Sequence, residues 1–261
     1  MIDHGQGIPI VLIPGLQGRW EWMRPTVTAL AKHHRVISFS LCDERTSPFP
    51  CDPEKAFENY ISQVEMALDR AKIDRAVIAG VSYGGLIATE FAARHPGRVS
   101  ALVLANALHS SWRPDPNQQR YLESPIRSVP MFLAGAAGRA KAELLAALPA
   151  LSDRMRFTVI QGARVVMAPG SPAKMARRIA WARAHRFADA QSSANPPTLL
   201  VTGEPELDKV VPVHVSRRYL NDFAGAEHVV LERTGHNGLV TRPDAFASVL
   251  ERFVNGSRLS A

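Results

Sequence analysis

Cysteine is scarce in this 261-residue chain, which contains only Cys42 and Cys51. Both fall in one predicted loop, and the beginning of the chain lacks the basic-then-apolar order of a secretion signal. A domain of this size needs no disulfide to fold, so we expect reduced thiols. No apolar run approaches the roughly 20 residues that span a bilayer. These absences together predict a cytoplasmic protein without a membrane partner.

Acidic residues are outnumbered, with 24 Asp and Glu against 31 Lys and Arg, which gives a net charge of +7. A basic balance is typical of proteins that bind nucleic acid or anionic surfaces. Here the basic residues are spread along the chain, and neither zinc-finger spacing nor an RNA-binding signature accompanies them. The sequence therefore predicts a solvated basic surface and no nucleic-acid partner.

Short apolar runs rich in β-branched residues alternate with longer helical patterns, which is typical of βαβ units and a mostly parallel sheet. The predicted strands are Ile8–Ile13, Arg35–Ser40, Ala76–Gly80, Ala101–Ala105, Thr198–Thr202 and Glu227–Leu231. The predicted helices are Trp22–Lys32, Pro53–Ala71, Gly84–His95, Val213–Phe223 and Pro243–Val254. The fold class is therefore α/β, with helices flanking a sheet of about six strands.

The stretch from residue 110 to residue 197 breaks this alternation. It holds no clear strand but has helical patterns, notably Ala140–Leu148 and Pro172–Ala190. Structureless loops beyond roughly 15 residues are uncommon in compact domains, so an inserted helical cap is the better interpretation. We expect a core domain built from residues 1–109 and 198–261 and a cap built from residues 110–197.

The strongest local motif is Gly80-Val81-Ser82-Tyr83-Gly84-Gly85, which lies directly between a predicted strand and a predicted helix. A sharp strand-to-helix turn pushes its central side chain out at the carboxyl edge of the sheet. There the backbone amide of Tyr83 faces negative charge that develops near the Ser82 hydroxyl. Ser82 is therefore the candidate nucleophile, and Tyr83 is a candidate oxyanion donor.

A second oxyanion amide is expected from the loop after the first strand, Pro14-Gly15-Leu16-Gln17-Gly18. The backbone N–H of Leu16 is the candidate donor, because the glycines around it permit an unusual backbone path. The similar His4-Gly5-Gln6-Gly7 precedes the strand instead of following it, so we expect no role for it.

A serine needs a general base with a pKa near neutrality, which indicates histidine. Nine histidines compete, and His236 stands out because it follows the last predicted strand, on a loop at the same sheet edge as Ser82. His228 lies inside that strand and His214 begins a helix, positions that are more often structural.

The base in turn needs a carboxylate to hold its tautomer. Three acids, Glu204, Glu206 and Asp208, follow the predicted strand Thr198–Thr202. Asp208 is our first choice and Glu206 the alternative. The resulting chain order of serine, acid and histidine is the one expected on an open α/β sheet.

On these motifs the sequence resembles the α/β-hydrolase fold superfamily over nearly the whole sheet domain, and in the cap only in kind. The resemblance implies Ser82 as nucleophile, His236 as base and the Leu16 and Tyr83 amides as oxyanion donors. It implies no metal and no organic cofactor. The acid loop of that family often reads Gly-x-x-acid, which favours Glu206, whereas the Asp-x-x-Val-Pro pattern favours Asp208. The antiparallel hairpin that often opens this fold is expected to be absent here.

Aromatic residues near these loops predict the walls of a substrate pocket. Trp20 and Trp22 follow the oxyanion loop and Trp112 follows the strand that leads into the cap, so an apolar or aromatic acyl group is the expected small-molecule partner. For the basic residues of the predicted cap helix, a solvated face is favoured over contact with an anionic substrate. That group comprises Arg177, Arg178, Arg183 and Arg186.

The function expected from these residues is hydrolysis of a small carboxylic ester or related acyl compound through an acyl-serine intermediate. The same residues on the same fold also serve carbon–carbon bond hydrolysis, lactone opening, acyl transfer and hydroxynitrile cleavage. A small-molecule sensor that keeps the pocket without turnover is the alternative from another class.

Overall fold

The computed structural model describes residues 1–127, 129–188 and 195–257. Seven strands form one sheet. They are β1 (Ile2–His4), β2 (Pro9–Ile13), β3 (Arg35–Ser38), β4 (Ala76–Val81), β5 (Val99–Ala105), β6 (Thr198–Thr202) and β7 (Glu227–Val230). Their order across the sheet is β1-β3-β2-β4-β5-β6-β7, and every pair except β1 with β3 is parallel. The predicted α/β class and mostly parallel sheet are therefore confirmed.

Parallel pairing in the centre of the sheet aligns the carboxyl ends of the strands that carry the candidate residues. Ile13 of β2 lies beside Gly80 of β4, and Val81 lies beside Ala105 of β5. The next pair continues this alignment, with Ala105 beside Val201 of β6. Loops that leave these strands consequently meet at one edge, which is where open α/β sheets bind ligands.

The sheet has one strand more than the sequence predicted. β1 pairs antiparallel with β3, with Ile2 opposite Ser38 and His4 opposite Val36. Only three residues long and lying at the sheet edge, β1 exposes Asp3 and His4 to solvent. Such a strand has too few buried apolar positions to be recognised from the sequence.

Eleven α-helices surround this sheet within the described residues. They are α1 (Arg24–Leu30), α2 (Glu58–Arg70), α3 (Tyr83–Arg94), α4 (Pro116–Glu123), α5 (Val129–Ala147), α6 (Leu151–Met167), α7 (Pro172–Ala184), α8 (Val213–Ser216), α9 (Tyr219–Asp222), α10 (Gly238–Thr241) and α11 (Pro243–Gly256). Short 3-10 turns at Trp20–Met23 and Pro53–Lys55 replace the predicted first turns of α1 and α2. The predicted helix Val213–Phe223 is divided into α8 and α9.

The core lies on both faces of the sheet. One cluster packs α2 and α3 against it through side chains such as Val64, Phe91 and Leu104, all fully buried. The other packs α1 and α11 against the opposite face through Leu30 and Phe246. Burial on both faces explains why the central strands are near-continuous apolar runs. No helix among the described residues combines the length and the apolar character needed to cross a bilayer.

Helices α4 to α7 lie between β5 and β6, and the described residues of this stretch contain no strand. The predicted helix Ala140–Leu148 lies within α5 except for its last residue. The predicted helix Pro172–Ala190 begins as α7, but its extension beyond Ala184 is wrong, because the backbone of His185 is extended and residues 185–188 are not helical. Residue 128 and residues 189–194, and with them the predicted end of the second helix, lie outside the described residues. The division into a core domain and a cap remains a prediction.

Candidate active site

Ser82 lies in the turn between β4 and α3 with φ 53° and ψ −118°, a backbone conformation that non-glycine residues rarely adopt. The turn is possible because α3 passes close to the end of β2 at Gly84. A Cβ on Gly84 would lie 2.6 Å from the carbonyl oxygen of Ile13 and 2.7 Å from that of Pro14. Strain of this kind, in a turn that other elements hold in place, is typical of functional sites.

The structure brings His236 to Ser82. His236 Nε2 lies 3.1 Å from Ser82 Oγ, within hydrogen-bonding distance. The loop that carries His236 follows β7, and Ser82 follows β4, so both side chains come from the carboxyl edge of the sheet. An imidazole in this position can accept the proton of the serine hydroxyl.

Asp208, and not Glu206, is the carboxylate beside the histidine. Asp208 Oδ2 lies 3.2 Å from His236 Nδ1, while its Oδ1 accepts hydrogen bonds from the amides of Val210 at 2.9 Å and Val211 at 3.0 Å. The side chain is buried. These two amides fix the carboxylate so that its second oxygen faces the imidazole.

The other acids of this loop have different surroundings. Glu206 is exposed to solvent. Glu204 accepts a hydrogen bond from the amide of Arg233 through Oε1, at 2.6 Å, which ties the acid loop to the loop after β7. Neither carboxylate is hydrogen-bonded to His236.

Asn106, which the sequence analysis did not single out, holds three loops together at this edge. Its Nδ2 donates to the carbonyl oxygens of Gly235 and His236, both at 3.1 Å, and its Oδ1 accepts from the Gly203 amide at 2.9 Å. The residue is buried and has a positive φ of 44°. A polar residue directly after the apolar β5 was the signal that could have identified it.

The loop after β2 lies directly beside the serine turn. A Cβ built on Gly15 would come 3.3 Å from the Cβ of Ser82, so the peptide between Gly15 and Leu16 lies close to the nucleophile candidate. Tyr83, the other predicted amide donor, is the first residue of α3. The roles of the Leu16 and Tyr83 amides as oxyanion donors remain predictions.

Arg178 of α7 connects the helical segment to the loop after β2. Its guanidinium donates to the Leu16 carbonyl at 2.7 Å and forms ion pairs with Asp43 at 2.7 Å and Glu44 at 2.5 Å. Burial by itself would lower the pKa of Arg178, but the charge of Asp43 and its hydrogen bond outweigh burial and raise the pKa above its usual value. Arg178 is fully buried, so the solvated face expected for the basic helix is wrong at this residue.

Removing Arg178 is expected to destabilise the protein strongly. Arg178→Met leaves Asp43 and Glu44 buried without their main cation, and should lower the free energy of unfolding by about 3–5 kcal/mol. Arg177→Met is the matched control, because Arg177 also pairs with Asp43, at 3.2 Å, but is 43% exposed. It should cost no more than about 1 kcal/mol. Urea unfolding at pH 7 measures the free energy of unfolding of both variants. Equal losses would contradict the conclusion that Arg178 is the main cation paired with Asp43 and Glu44.

A cavity of about 210 Å³ opens beside Ser82 and His236. Most of its wall is apolar. The wall-forming apolar side chains include Trp22, Met23, Val81, Leu144, Phe157, Leu239 and Val240. Phe157 and Leu144 come from α6 and α5, so the helical segment closes one side of the cavity. The volume limits a bound group to a small one.

Of the three tryptophans predicted to line the substrate pocket, only Trp22 lies on this cavity. Its indole Nε1 donates to the Ala168 carbonyl at 2.8 Å, which ties the ring to the end of α6. Trp112 instead lines a separate pocket of about 90 Å³ and packs against the core cluster on the α2 and α3 face of the sheet. Trp20 lies beneath the guanidinium of Arg24, 5.5 Å from the ring centre. Trp20 and Trp112 do not line this cavity, because residues that are close along the chain, such as Trp20 and Trp22 on one 3-10 turn, can turn their side chains in different directions.

The cavity also contains a buried carboxylate, Glu143 of α5. Its Oε2 accepts hydrogen bonds from both the backbone amide and Nδ2 of Asn237, each at 3.1 Å, and its Oε1 accepts from the Thr241 hydroxyl at 3.3 Å. Glu143 therefore holds the residue directly after His236. Sequence reasoning missed it, because the contact depends on how α5 docks on the sheet domain.

Metal-binding side chains are not clustered in the part of the chain that the structure describes. Within residues 1–127, 129–188 and 195–257, no group of three or more histidine, cysteine, aspartate or glutamate side chains is arranged to hold a metal ion. That the reaction needs no cofactor remains a prediction from the sequence.

Comparison with known proteins identifies the family of this chain. A family model described as the alpha/beta hydrolase fold matches residues 8–243. A 2-hydroxymuconate semialdehyde hydrolase of a Pseudomonas species is 27% identical over 269 residues, covering 97% of this chain and 88% of the relative. The chain belongs to the α/β-hydrolase fold family and is an enzyme of that class.

Solved structures show the same fold. An esterase from Exiguobacterium antarcticum superimposes with a TM-score of 0.77 at 19% identity, covering 97% of this chain and 94% of the esterase. An enol-lactonase from Burkholderia xenovorans gives a TM-score of 0.75 at 24% identity, with 97% and 95% covered. At these identities the likeness shows the fold alone.

Proposed function

We propose that this hydrolase cleaves small carboxylic esters or related acyl compounds through an acyl-serine intermediate. The observation that carries the proposal is the unbroken series of contacts from Ser82 Oγ to His236 Nε2, 3.1 Å, and from His236 Nδ1 to Asp208 Oδ2, 3.2 Å. A serine, a base and an orienting acid in this relation are the parts that nucleophilic acyl transfer requires.

The first half of the reaction forms the acyl-enzyme. His236 takes the Ser82 proton as Oγ attacks the carbonyl carbon, and the carbonyl π electrons move onto oxygen. The imidazolium that results is stabilised by Asp208 and then gives its proton to the departing alkoxide. The carbon–oxygen bond to the leaving group breaks, and the acyl group remains on Ser82.

The second half regenerates the enzyme. His236 takes a proton from water, whose oxygen attacks the acyl carbon, and the proton is returned to Ser82 Oγ as the acid product leaves. In both halves the backbone amides of Leu16 and Tyr83 donate hydrogen bonds to the negative oxygen. Amides fixed in advance at that oxygen are usually the largest electrostatic contribution to such reactions.

The cavity supports an apolar acyl group of modest size. Its volume of about 210 Å³ is below the usual range of roughly 300–1,000 Å³ for ligand sites. The aromatic rings of Trp22 and Phe157 and the side chain of Leu144 provide flat and aliphatic surface. The names of the similar proteins, a semialdehyde hydrolase, an esterase and an enol-lactonase, all denote reactions on small molecules.

A panel of p-nitrophenyl esters tests the proposal. We expect turnover of the acetate, butyrate and benzoate, with an initial burst of nitrophenol if deacylation is slow, and weaker turnover of the octanoate because its chain exceeds the cavity. Saturable binding of these compounds without release of nitrophenol would contradict the proposal and would favour a sensor.

Glu143 is expected to act as a positioning residue in this reaction. Glu143→Ala removes the acceptor for both Asn237 donors, so the adjacent His236 loses one restraint on its loop. We expect kcat on p-nitrophenyl butyrate to fall by about ten- to a hundredfold, since small misplacements of a catalytic group have effects of this size. KM should change much less.

The conservative variant separates positioning from simple loss of stability. Glu143→Gln keeps one oxygen acceptor for Asn237 and offers an NH₂ group to the Thr241 hydroxyl, so it should restore most of the lost kcat. A Glu143→Ala enzyme with wild-type kcat, or a Gln variant as slow as the Ala variant, would show that the contact does not position His236.

A further inference from the structure

Exposed apolar side chains are concentrated in one part of the molecule. Ten large apolar side chains are exposed among the described residues, and eight of them lie between residues 126 and 167. Six are on α6, and several of these are largely exposed to solvent, although the apolar side chains of a surface helix ordinarily face the core. Val159 is 70% exposed, Val166 is 79% exposed and Met167 is 84% exposed.

The exposed residues form a stripe along the outward side of α6. At 100° per residue, Leu151, Met155, Val159 and Val166 fall within an arc of about 80°. The opposite side of the helix carries Phe157, which lines the cavity beside the nucleophile candidate. A surface helix ordinarily turns its polar side outward, so this helix reverses the usual arrangement. We call these four residues the α6 stripe.

Positive charge is concentrated in the same segment. Residues 110–197 contain 13 of the 31 Lys and Arg and 5 of the 24 Asp and Glu, a net charge of +8, so the rest of the chain carries −1. Among the described residues of this segment, eight of the cations but only three of the acids are exposed. Arg156 is one of the exposed cations and lies on α6 next to Met155 of the α6 stripe.

We propose that the α6 stripe binds the surface of bilayers that contain anionic lipids. The apolar side chains would enter the interface between head groups and acyl chains, while Arg156, the neighbour of Met155 in the chain, pairs with lipid phosphates. Such binding needs no spanning helix, so it revises the expectation of no membrane partner, which rested on the absence of a long apolar run.

The charge distribution favours a lipid surface over a second copy of the chain. Two segments that each expose eight cations and three acids among their described residues repel one another when they are brought together. A protein partner is also disfavoured by the composition of the α6 stripe, because hot spots of protein interfaces are enriched in Trp, Tyr and Arg and poor in Leu and Val.

Sedimentation with lipid vesicles tests the proposal. We expect the full chain to partition at least about tenfold better into vesicles of phosphatidylglycerol than into vesicles of phosphatidylcholine, and to be released by salt. The double variant Met155→Gln/Val159→Gln should lower partitioning into phosphatidylglycerol by about tenfold or more, because two apolar side chains no longer enter the interface.

The matched control is Val230→Gln, which makes the same kind of change at an apolar residue that is 43% exposed on β7. It should partition like the wild type. Both variants should hydrolyse p-nitrophenyl butyrate in vesicle-free buffer at the wild-type rate, which shows that they are folded. Absence of binding to phosphatidylglycerol, or equal binding by the wild type and the double variant, would overturn the proposal.

Light scattering tests the alternative that the α6 stripe binds a second copy of the chain. We expect the wild type to be a monomer in solution without lipid. A stable dimer that the double variant dissociates would overturn the proposal and assign the α6 stripe to self-association.

Discussion

Ser82→Ala should lower the rate of ester hydrolysis by about a millionfold, to the residual rate that binding and the oxyanion amides provide. Only the hydroxyl that forms the acyl bond is lost, and the alanine keeps the Cβ in the same turn. The variant should therefore unfold at the wild-type urea concentration. Initial rates on p-nitrophenyl butyrate, with urea unfolding beside them, measure both expectations.

The chain offers a matched control for this change. His109 Nδ1 lies 2.6 Å from Ser111 Oγ and its Nε2 lies 2.8 Å from Asp222 Oδ2, so a second serine, histidine and aspartate are in contact. Ser111 does not lie in a sharp turn between a strand and a helix, as Ser82 does. It also does not line the cavity beside Ser82. Ser111→Ala should retain full activity, and a loss comparable to that of Ser82→Ala would mean that the wrong serine was assigned.

Asp208→Asn is the second change with a large expected effect. The asparagine Oδ1 can still accept from the amides of Val210 and Val211, which leaves its NH₂ group facing His236 Nδ1. That group donates where the carboxylate accepts, so the imidazole is held in the wrong tautomer to receive the serine proton. We expect kcat to fall by up to about ten-thousandfold.

Glu206→Gln provides the comparison at the competing position. Glu206 is exposed and is not hydrogen-bonded to His236, so its neutralisation should leave kcat within a factor of about two. Both variants are assayed on the ester that the wild type hydrolyses fastest. A large loss of kcat in Glu206→Gln together with normal kcat in Asp208→Asn would show that Glu206 is the acid, as the Gly-x-x-acid pattern suggests.

Much of the site geometry could be predicted because its parts have local signals. An apolar strand, a small-residue turn and a helix locate Ser82, and the ends of parallel strands must share an edge, which brings His236 and the acid loop to it. The choice between Asp208 and Glu206 was harder, since two family patterns disagreed. The structure favours Asp208 because the amides of Val210 and Val211 orient its carboxylate toward His236. These contacts form only in the folded chain.

Other features depend on long-range packing that leaves no local pattern. Arg177 and Arg178 are adjacent basic residues of one helix, yet only Arg178 is fully buried, because the helix docks that face over Asp43 and Glu44. Glu143 likewise contacts the His236 loop only through the docking of α5. Periodicity cannot distinguish such residues from solvated charges.

Covalent labelling tests most directly whether Ser82 is the nucleophile. The wild type is treated with a fluorophosphonate, its intact mass is measured, and the modified peptide is sequenced by mass spectrometry. We predict one phosphonyl group per chain, located on Ser82, no label on Ser82→Ala and full label on Ser111→Ala. Label on another residue, or ester turnover by a wild type that stays unlabelled, would show that Ser82 is not the nucleophile.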